Sequence, residues 1–132
     1  YNDFGEEGLL EIVKSRCTKK NFPVVLVAKI DDQVVGTVSL VSNDTELRQD
    51  LFPMLTMFVV DSNCRGQGIG KQLLEKILAI CETEFREVYL TTKLEGFYEK
   101  FGFEYLGTTK AYINFETEKP YEERIYRKKF QN

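Results

Sequence analysis

The period of the apolar positions changes several times along the chain, and each change marks an expected element. From Ile69 onward, Leu73, Leu74, Ile77, Leu78 and Cys81 recur at i, i+4, i+5, i+8, i+9 and i+12, the stripe of a helix packed on a sheet, with the helix pattern running through Gln72 to Glu84. Residues 6–17 carry Leu9, Leu10, Ile12 and Val13 in a spacing compatible with a short amphipathic helix, closed by polar Thr18 to Asn21. Val24 to Ile30 and Val34 to Val41 are β-branched apolar runs separated by Asp31-Asp32-Gln33, which predicts a hairpin. After the polar stretch Ser42 to Asp50, Leu51 to Val60 reads as a long strand whose apolar continuity predicts burial on both faces. Val88 to Thr92 is a further strand, so strand, helix and strand form a βαβ unit with parallel strands. Glu95 to Phe101 predicts a second short helix with Gly102 placed as its C-cap. Phe103 to Gly107 and Glu123 to Phe130 are the last expected strands, separated by the less regular Thr108 to Glu122. The expected order is helix, β-hairpin, long strand, helix, strand, helix, strand, strand: a mixed α+β (mixed α/β) sheet.

Composition narrows the function classes. The chain has 132 residues, suited to one domain and one core, and 42% hydrophobic residues are ample to build it. No apolar run approaches the ~20 residues of a membrane span. The net charge of −3, with both signs interspersed, argues against a nucleic-acid footprint, and Arg127-Lys128-Lys129 reads as a solvated edge. Cys17, Cys64 and Cys81 are odd in number and far apart, which speaks against a disulfide framework or a zinc site and fits a reducing cytoplasm. Histidine is absent, which removes a Ser-His-Asp triad, a histidine base and any histidine metal ligand. Catalysis here must use carboxylate, tyrosine, cysteine or water.

The segment Arg65-Gly66-Gln67-Gly68-Ile69-Gly70-Lys71 is a glycine-rich, cationic turn between an apolar strand and a helix, the arrangement that aims backbone N–H groups and the positive end of a helix dipole at one phosphate-sized point. A P-loop fails on spacing: Arg65 stands where its first glycine belongs and Gln72 where its hydroxyl belongs. The dinucleotide fingerprint G-x-G-x-x-G fails too, because the glycines fall at 66, 68 and 70. A plain tight strand-to-helix connection stays open on spacing alone.

What remains, R-x-x-G-x-G at Arg65, Gly68 and Gly70, resembles the acyl-coenzyme A turn of the GNAT superfamily of N-acetyltransferases. Two further stretches are similar to that family. Glu95 to Phe103 (EGFYEKFGF) follows the strand after the coenzyme helix, and Asp50 to Leu55 (DLFPML) resembles a bacterial subgroup with D-L-x-P-W-L and G-F-Y-E-K segments. The resemblance covers roughly residues 24–106. It implies a central mixed, mostly antiparallel sheet with splayed middle strands flanked by helices. It also implies one acetyltransferase domain over 1–132, without the first strand and helix that relatives carry ahead of the hairpin.

For function, the resemblance implies a cytoplasmic enzyme moving an acetyl group from acetyl-coenzyme A to an amine by direct attack, without metal. The backbone of Phe58, Val59 and Val60 would pair with the pantetheine arm like an added strand. The amides of Arg65, Gly66, Gln67, Gly68, Ile69, Gly70 and Lys71 would hold the pyrophosphate. Tyr98 would be the general acid. The acceptor is a small-molecule or peptide amine, with no nucleic acid or membrane partner, and a homodimer is a compatible assembly. Two other readings stand beside this one: a coenzyme A-binding module without turnover, and a small α+β interaction domain whose turn binds nothing. Met54 takes the place of the subgroup's tryptophan. Thr91 takes the place of an asparagine found seven residues before the tyrosine in many relatives.

The chemistry makes two demands. A leaving thiolate with pKa ~8.5 and a phenol near ~10 differ by only about 2 kcal/mol, within reach of Tyr98. A lysine-like amine near ~10.4 costs roughly 4.6 kcal/mol to deprotonate at pH 7, so something must take that proton. Leu55 to Val60 contain no acid. Glu46 and Asp50 are the nearest carboxylates in sequence, with Asp44, Glu116 and Glu122 more remote and a water chain equally open. Cys81 falls on the apolar helix stripe, and Cys64, beside Arg65, is the more exposed thiol.

Overall fold

A computed structural model of the chain describes residues 10–17, 23–43, 48–111 and 121–131. Seven strands form one sheet in the order β1-β2-β3-β4-β5-β7-β6: β1 Leu10–Cys17, β2 Val24–Ile30, β3 Gln33–Val41, β4 Met54–Val60, β5 Glu87–Thr92, β6 Glu104–Ala111 and β7 Tyr121–Lys129. The helix α1, Ile69–Glu82, connects β4 to β5. Every neighbouring pair is antiparallel except β4 and β5, which are parallel as the βαβ pattern predicts. No helix among the described residues is long and apolar enough to cross a membrane.

The core forms where α1 covers the sheet. Its stripe Ile69, Leu73, Leu74, Ile77, Leu78 and Cys81 is buried in full, as the spacing requires, against Val24, Leu26, Val38, Leu40 and Leu55. A smaller cluster of Leu51, Met54 and Ile125 is packed separately.

Four expectations are corrected. The first element is a strand, not a helix: Leu10–Cys17 pairs along β2 from Leu10↔Ile30 to Cys17↔Val24. Leu10 and Ile12 pack against the core while Glu11 and Val13 are exposed, an alternation that a short apolar run hides inside a helical spacing. The edge of β2 also supplies the backbone partners that decide between the two. The long strand is buried on both faces only at Met54 and Leu55; beyond them Met57 is 64% and Val59 55% exposed. The second helix shrinks to one 3-10 turn, Tyr98–Phe101, because Gly96 sits at φ 91°, which no helix continues through. Gly102 caps that turn at φ 89°, with its N–H directed at Glu99 O and Tyr98 O. Finally, β6 runs past Gly107 to Ala111, with a bulge between Tyr105 and Gly107 where the expected strand stopped.

The sheet is open in the middle. β3 and β4 stay paired to Gly36↔Val60, whereas β4 and β5 share a single register position, Met54↔Tyr89, with Tyr89 N donating to Pro53 O at 2.9 Å. From Leu55 to Val60, β4 therefore has no strand partner on its β5 side among the described residues.

Candidate active site

Two cavities meet in that opening and share Phe58, Leu94 and Tyr98. The larger, about 550 Å³, is lined by Phe58–Val60 of β4, by Cys64 to Gly66, and by Gly68–Lys71 at the start of α1. The smaller, about 340 Å³, lies in the wedge between β4 and β5, with Thr91, Thr92 and Lys93 on one side and Glu123 arriving from β7.

The start of α1 breaks the usual rules for a helix end. Its N-cap, Gly68, offers no side-chain cap, and the first turn holds no acid but does hold Lys71. The orphan N–H groups and the dipole are left for an external anion, and they face the larger cavity. Gly66 and Gly68 stand at φ 82° and 81° with open space around them, so it is backbone conformation that demands glycine there. Gly70 is short of room: a Cβ would lie 3.3 Å from Phe58 Cζ, so the ring would have to give by a few tenths of an ångström. Arg65 is tied back to the strand end, its Nε donating to Val60 O at 3.2 Å. The fold thus offers an anion cradle joined to an unpaired strand edge.

The sequence model of the Acetyltransferase (GNAT) domain family matches residues 21–105. This chain belongs to the GNAT acetyltransferase family.

Among relatives, N-alpha-acetyltransferase 50 of Danio rerio is 29% identical over 119 residues, covering 85% of this chain; the chain spans 64% of that protein's length. A GNAT family acetyltransferase from Elizabethkingia anophelis with acetyl-CoA bound superposes at a TM-score of 0.66 and 13% identity, covering 95% of this chain and 99% of that one. Ribosomal-protein-alanine N-acetyltransferase from Brucella melitensis gives 0.65 at 24% identity, covering 82% and 69%. These likenesses establish the same fold, including the mostly antiparallel sheet.

Of the residues singled out from sequence, Phe58, Val59, Val60, Arg65, Gly66, Gly68, Ile69, Gly70, Lys71 and Tyr98 all line the larger cavity. Gln67 does not; its Oε1 is buried without a hydrogen-bond partner among the described residues. Tyr98 is 7% exposed, edge-on to Phe97 with ring centroids 4.9 Å apart and to Phe103 at 5.7 Å. Burial alone pushes its phenol up to about 12. Of the proposed proton acceptors, Asp50 is turned outward in an ion pair with Arg48 at 2.8 Å, which holds its carboxyl below the usual range. Glu122 is exposed on β7 and lines neither cavity. Asp44, Glu46 and Glu116 lie outside the described residues. Cys81 is core, its thiol pushed up to about 12 by burial, and Cys64 is half-buried at the rim of the larger cavity.

Sequence reasoning missed two features. β4 carries a bulge: Thr37 pairs with Val59 but Ser39 with Thr56, so Met57 and Phe58 stand opposite Val38 alone. Met57 adopts φ 54°, an uncommon conformation for a non-glycine residue, on the wall of the smaller cavity and next in sequence to Phe58, which lines both. The second is Glu123, whose Oε1 accepts from Thr91 Oγ1 at 3.1 Å inside the smaller cavity. Its alternation with Glu122 on β7 was readable, but which face met the cavity depended on a sheet order that no local pattern encodes.

Proposed function

We propose that this chain is an N-acetyltransferase that moves the acetyl group of acetyl-coenzyme A to an amine by direct attack, with Tyr98 as general acid. One observation carries the reading: the buried phenol of Tyr98 belongs to both cavities, the one that ends in an anion cradle and the one that ends in a carboxylate. In this reading the coenzyme is the co-substrate. Its pyrophosphate sits on the amides of Arg65 to Lys71, and its pantetheine arm lies along Phe58 to Val60, where β4 lacks a β5 partner.

The displaced Tyr98 phenol is consistent with an acid. Against an ordinary thiol at ~8.5, a phenol near about 12 would make full proton transfer cost roughly 5 kcal/mol. Burial raises a thiol as well, and the buried Cys81 of this chain moves to about 12 for that reason. A leaving sulfur desolvated beside Tyr98 is lifted in the same sense, so the two groups approach one another and transfer stays within reach. At neutral pH Tyr98 is wholly protonated and ready to donate.

The segments at 50–55 and 95–103 support placing the chain in the bacterial subgroup, as one domain acting in the cytoplasm on a small-molecule or peptide amine. The alternative, a coenzyme A-binding module without turnover, draws on the absence of an acid from Leu55 to Val60; the Glu123 carboxylate, which lines the smaller cavity together with Tyr98, weighs against it. Release of coenzyme A from acetyl-coenzyme A, followed with a thiol dye across an amine panel, tests the reading. Acetyl-coenzyme A at ~100 times its dissociation constant should add about 2.7 kcal/mol of stability in a thermal shift. The absence of any shift would sink both coenzyme readings, and a shift without product from any amine would favour the binding module.

A further inference from the structure

The smaller cavity has a charge pattern of which the acetyl-transfer reading uses only the carboxylate. Its walls are largely aliphatic, with Val38, Leu55, Leu74 and Leu90 among them, and among the described residues three ionisable side chains line it: Tyr98, Glu123 and Lys93. Glu123 is half-buried and fixed by the Thr91 hydroxyl at 3.1 Å. The Lys93 ammonium rests over the Tyr121 ring, 4.2 Å from its centroid. The two charges are opposite and form no ion pair with each other among the described residues. Each therefore keeps its capacity for a ligand charge within a space of about 340 Å³. That volume suits a molecule of amino-acid size.

We propose that the acceptor is a small zwitterion, a free α-amino acid, whose ammonium is bound and deprotonated by Glu123 and whose carboxylate pairs with Lys93. This rests on the acetyl-transfer reading and names its substrate class. A cation alone would meet Lys93 as a like charge, and an anion would meet Glu123, whereas a zwitterion satisfies both. The step balances. Glu123 takes one ammonium proton, the neutral nitrogen attacks the thioester carbonyl, the C–N bond forms and the C–S bond breaks. Tyr98 protonates the sulfur and recovers a proton from the nitrogen, leaving an N-acetyl amino acid, coenzyme A and one proton released through Glu123. The aliphatic walls favour apolar side chains.

The test compares L-leucine with leucinamide and 3-methylbutylamine, and extends to the other free L-amino acids and their amides, with product identified by mass spectrometry. The free acid should exceed its amide by ~10-fold in kcat/KM, the equivalent of one well-placed charge pair. Calorimetry in the presence of coenzyme A should show the same ordering in Kd, and Lys93→Met should close the gap in both measurements. Equal or better use of the amide or the decarboxylated amine, or turnover of other amines with no amino acid used, would overturn the zwitterion assignment while leaving acetyl transfer intact. No product from any amine would overturn both.

Discussion

The Tyr126 hydroxyl donates to Oε2 of Glu99 at 2.8 Å, tying the middle of β7 to the 3-10 turn that carries Tyr98. Tyr126 is fully buried, its ring 6.1 Å from that of Tyr98, and its hydroxyl accepts from Arg124 Nε at 2.9 Å. The turn is short and lacks a side-chain cap, so this strand-to-turn bond restrains its position, beside the one that Lys128 Nζ donates to Phe101 O at 2.7 Å. Tyr126→Phe keeps the ring and removes the restraint. We expect kcat to fall by ~3–10-fold, as small misplacements of an acid do, with acetyl-coenzyme A affinity within about twofold of the parent. A parallel loss in coenzyme affinity would show that the bond supports the whole cleft and not the tyrosine.

Tyr98→Phe asks whether the phenol itself reacts. The ring contacts with Phe58, Phe97 and Phe103 survive, so the coenzyme cavity should keep its shape. Loss of a general acid predicts a fall of ~10²–10⁴ in kcat with little change in coenzyme Kd. Unchanged turnover would remove Tyr98 from the mechanism.

The displaced phenol also sets two pH responses. Because Tyr98 titrates at about 12, the kcat profile should rise as the amine loses its proton and show no descending limb below pH ~11. Stability behaves differently. In the unfolded chain tyrosine ionises near ~10, so above that pH only the unfolded state releases the proton. The contribution of neutral Tyr98 is therefore complete below pH ~10 and is lost as pH rises toward about 12, reaching roughly 2–3 kcal/mol. The Cys81 thiol, raised by burial, acts in the same sense from lower pH. A Tm series from pH 8 to 11 should fall, and Tyr98→Phe should flatten its upper end.

Elements whose information is local were legible in the sequence. The α1 stripe is buried at all six apolar positions because one helix face and one sheet face are enough to define it, and the glycine turn declared itself through the φ values that only glycine holds easily. The first strand was illegible because Leu9 to Val13 is too short to separate a period of 3.6 from one of 2, and the deciding partner, β2, lies elsewhere in the chain. The bulge at Met57 and the arrival of Glu123 beside Thr91 are relationships between strands, 32 residues apart in the latter case, and no window of the sequence contains both partners.

Gly68 tests the anion cradle. At φ 81° an alanine costs about 1–2 kcal/mol of backbone strain although no atom lies within 4 Å of its Cβ. Gly68→Ala should lower Tm. It should also weaken acetyl-coenzyme A by ~10-fold or more, because relieving the strain turns the Ile69 and Gly70 amides away from the cradle. The same substitution at Gly96, also at positive φ with open space, shares the strain but lies in neither the turn nor α1. It should lower Tm and leave coenzyme Kd within about twofold. Equal losses in Kd at both sites would mean that strain, and not the cradle, accounts for the effect.

Met57 reverses the ordinary strand preference. Within a strand a β-branched residue is normally favoured over methionine, and 64% exposure leaves Met57 little packing to lose. Its φ of 54° places it in the left-handed region, which is hardest for β-branched side chains. Met57→Val should therefore destabilise the fold by about 1–2 kcal/mol, whereas Met57→Gly should be near neutral, the relief of strain offsetting glycine's larger entropy loss. Urea denaturation of the two variants checks the ordering. If valine proved the more stable, the bulge would not hold Met57 in this conformation in solution. The extra residue opposite Val38 would then be absorbed elsewhere between Thr56 and Val59, and the edge of β4 would present a different set of groups to the cavities.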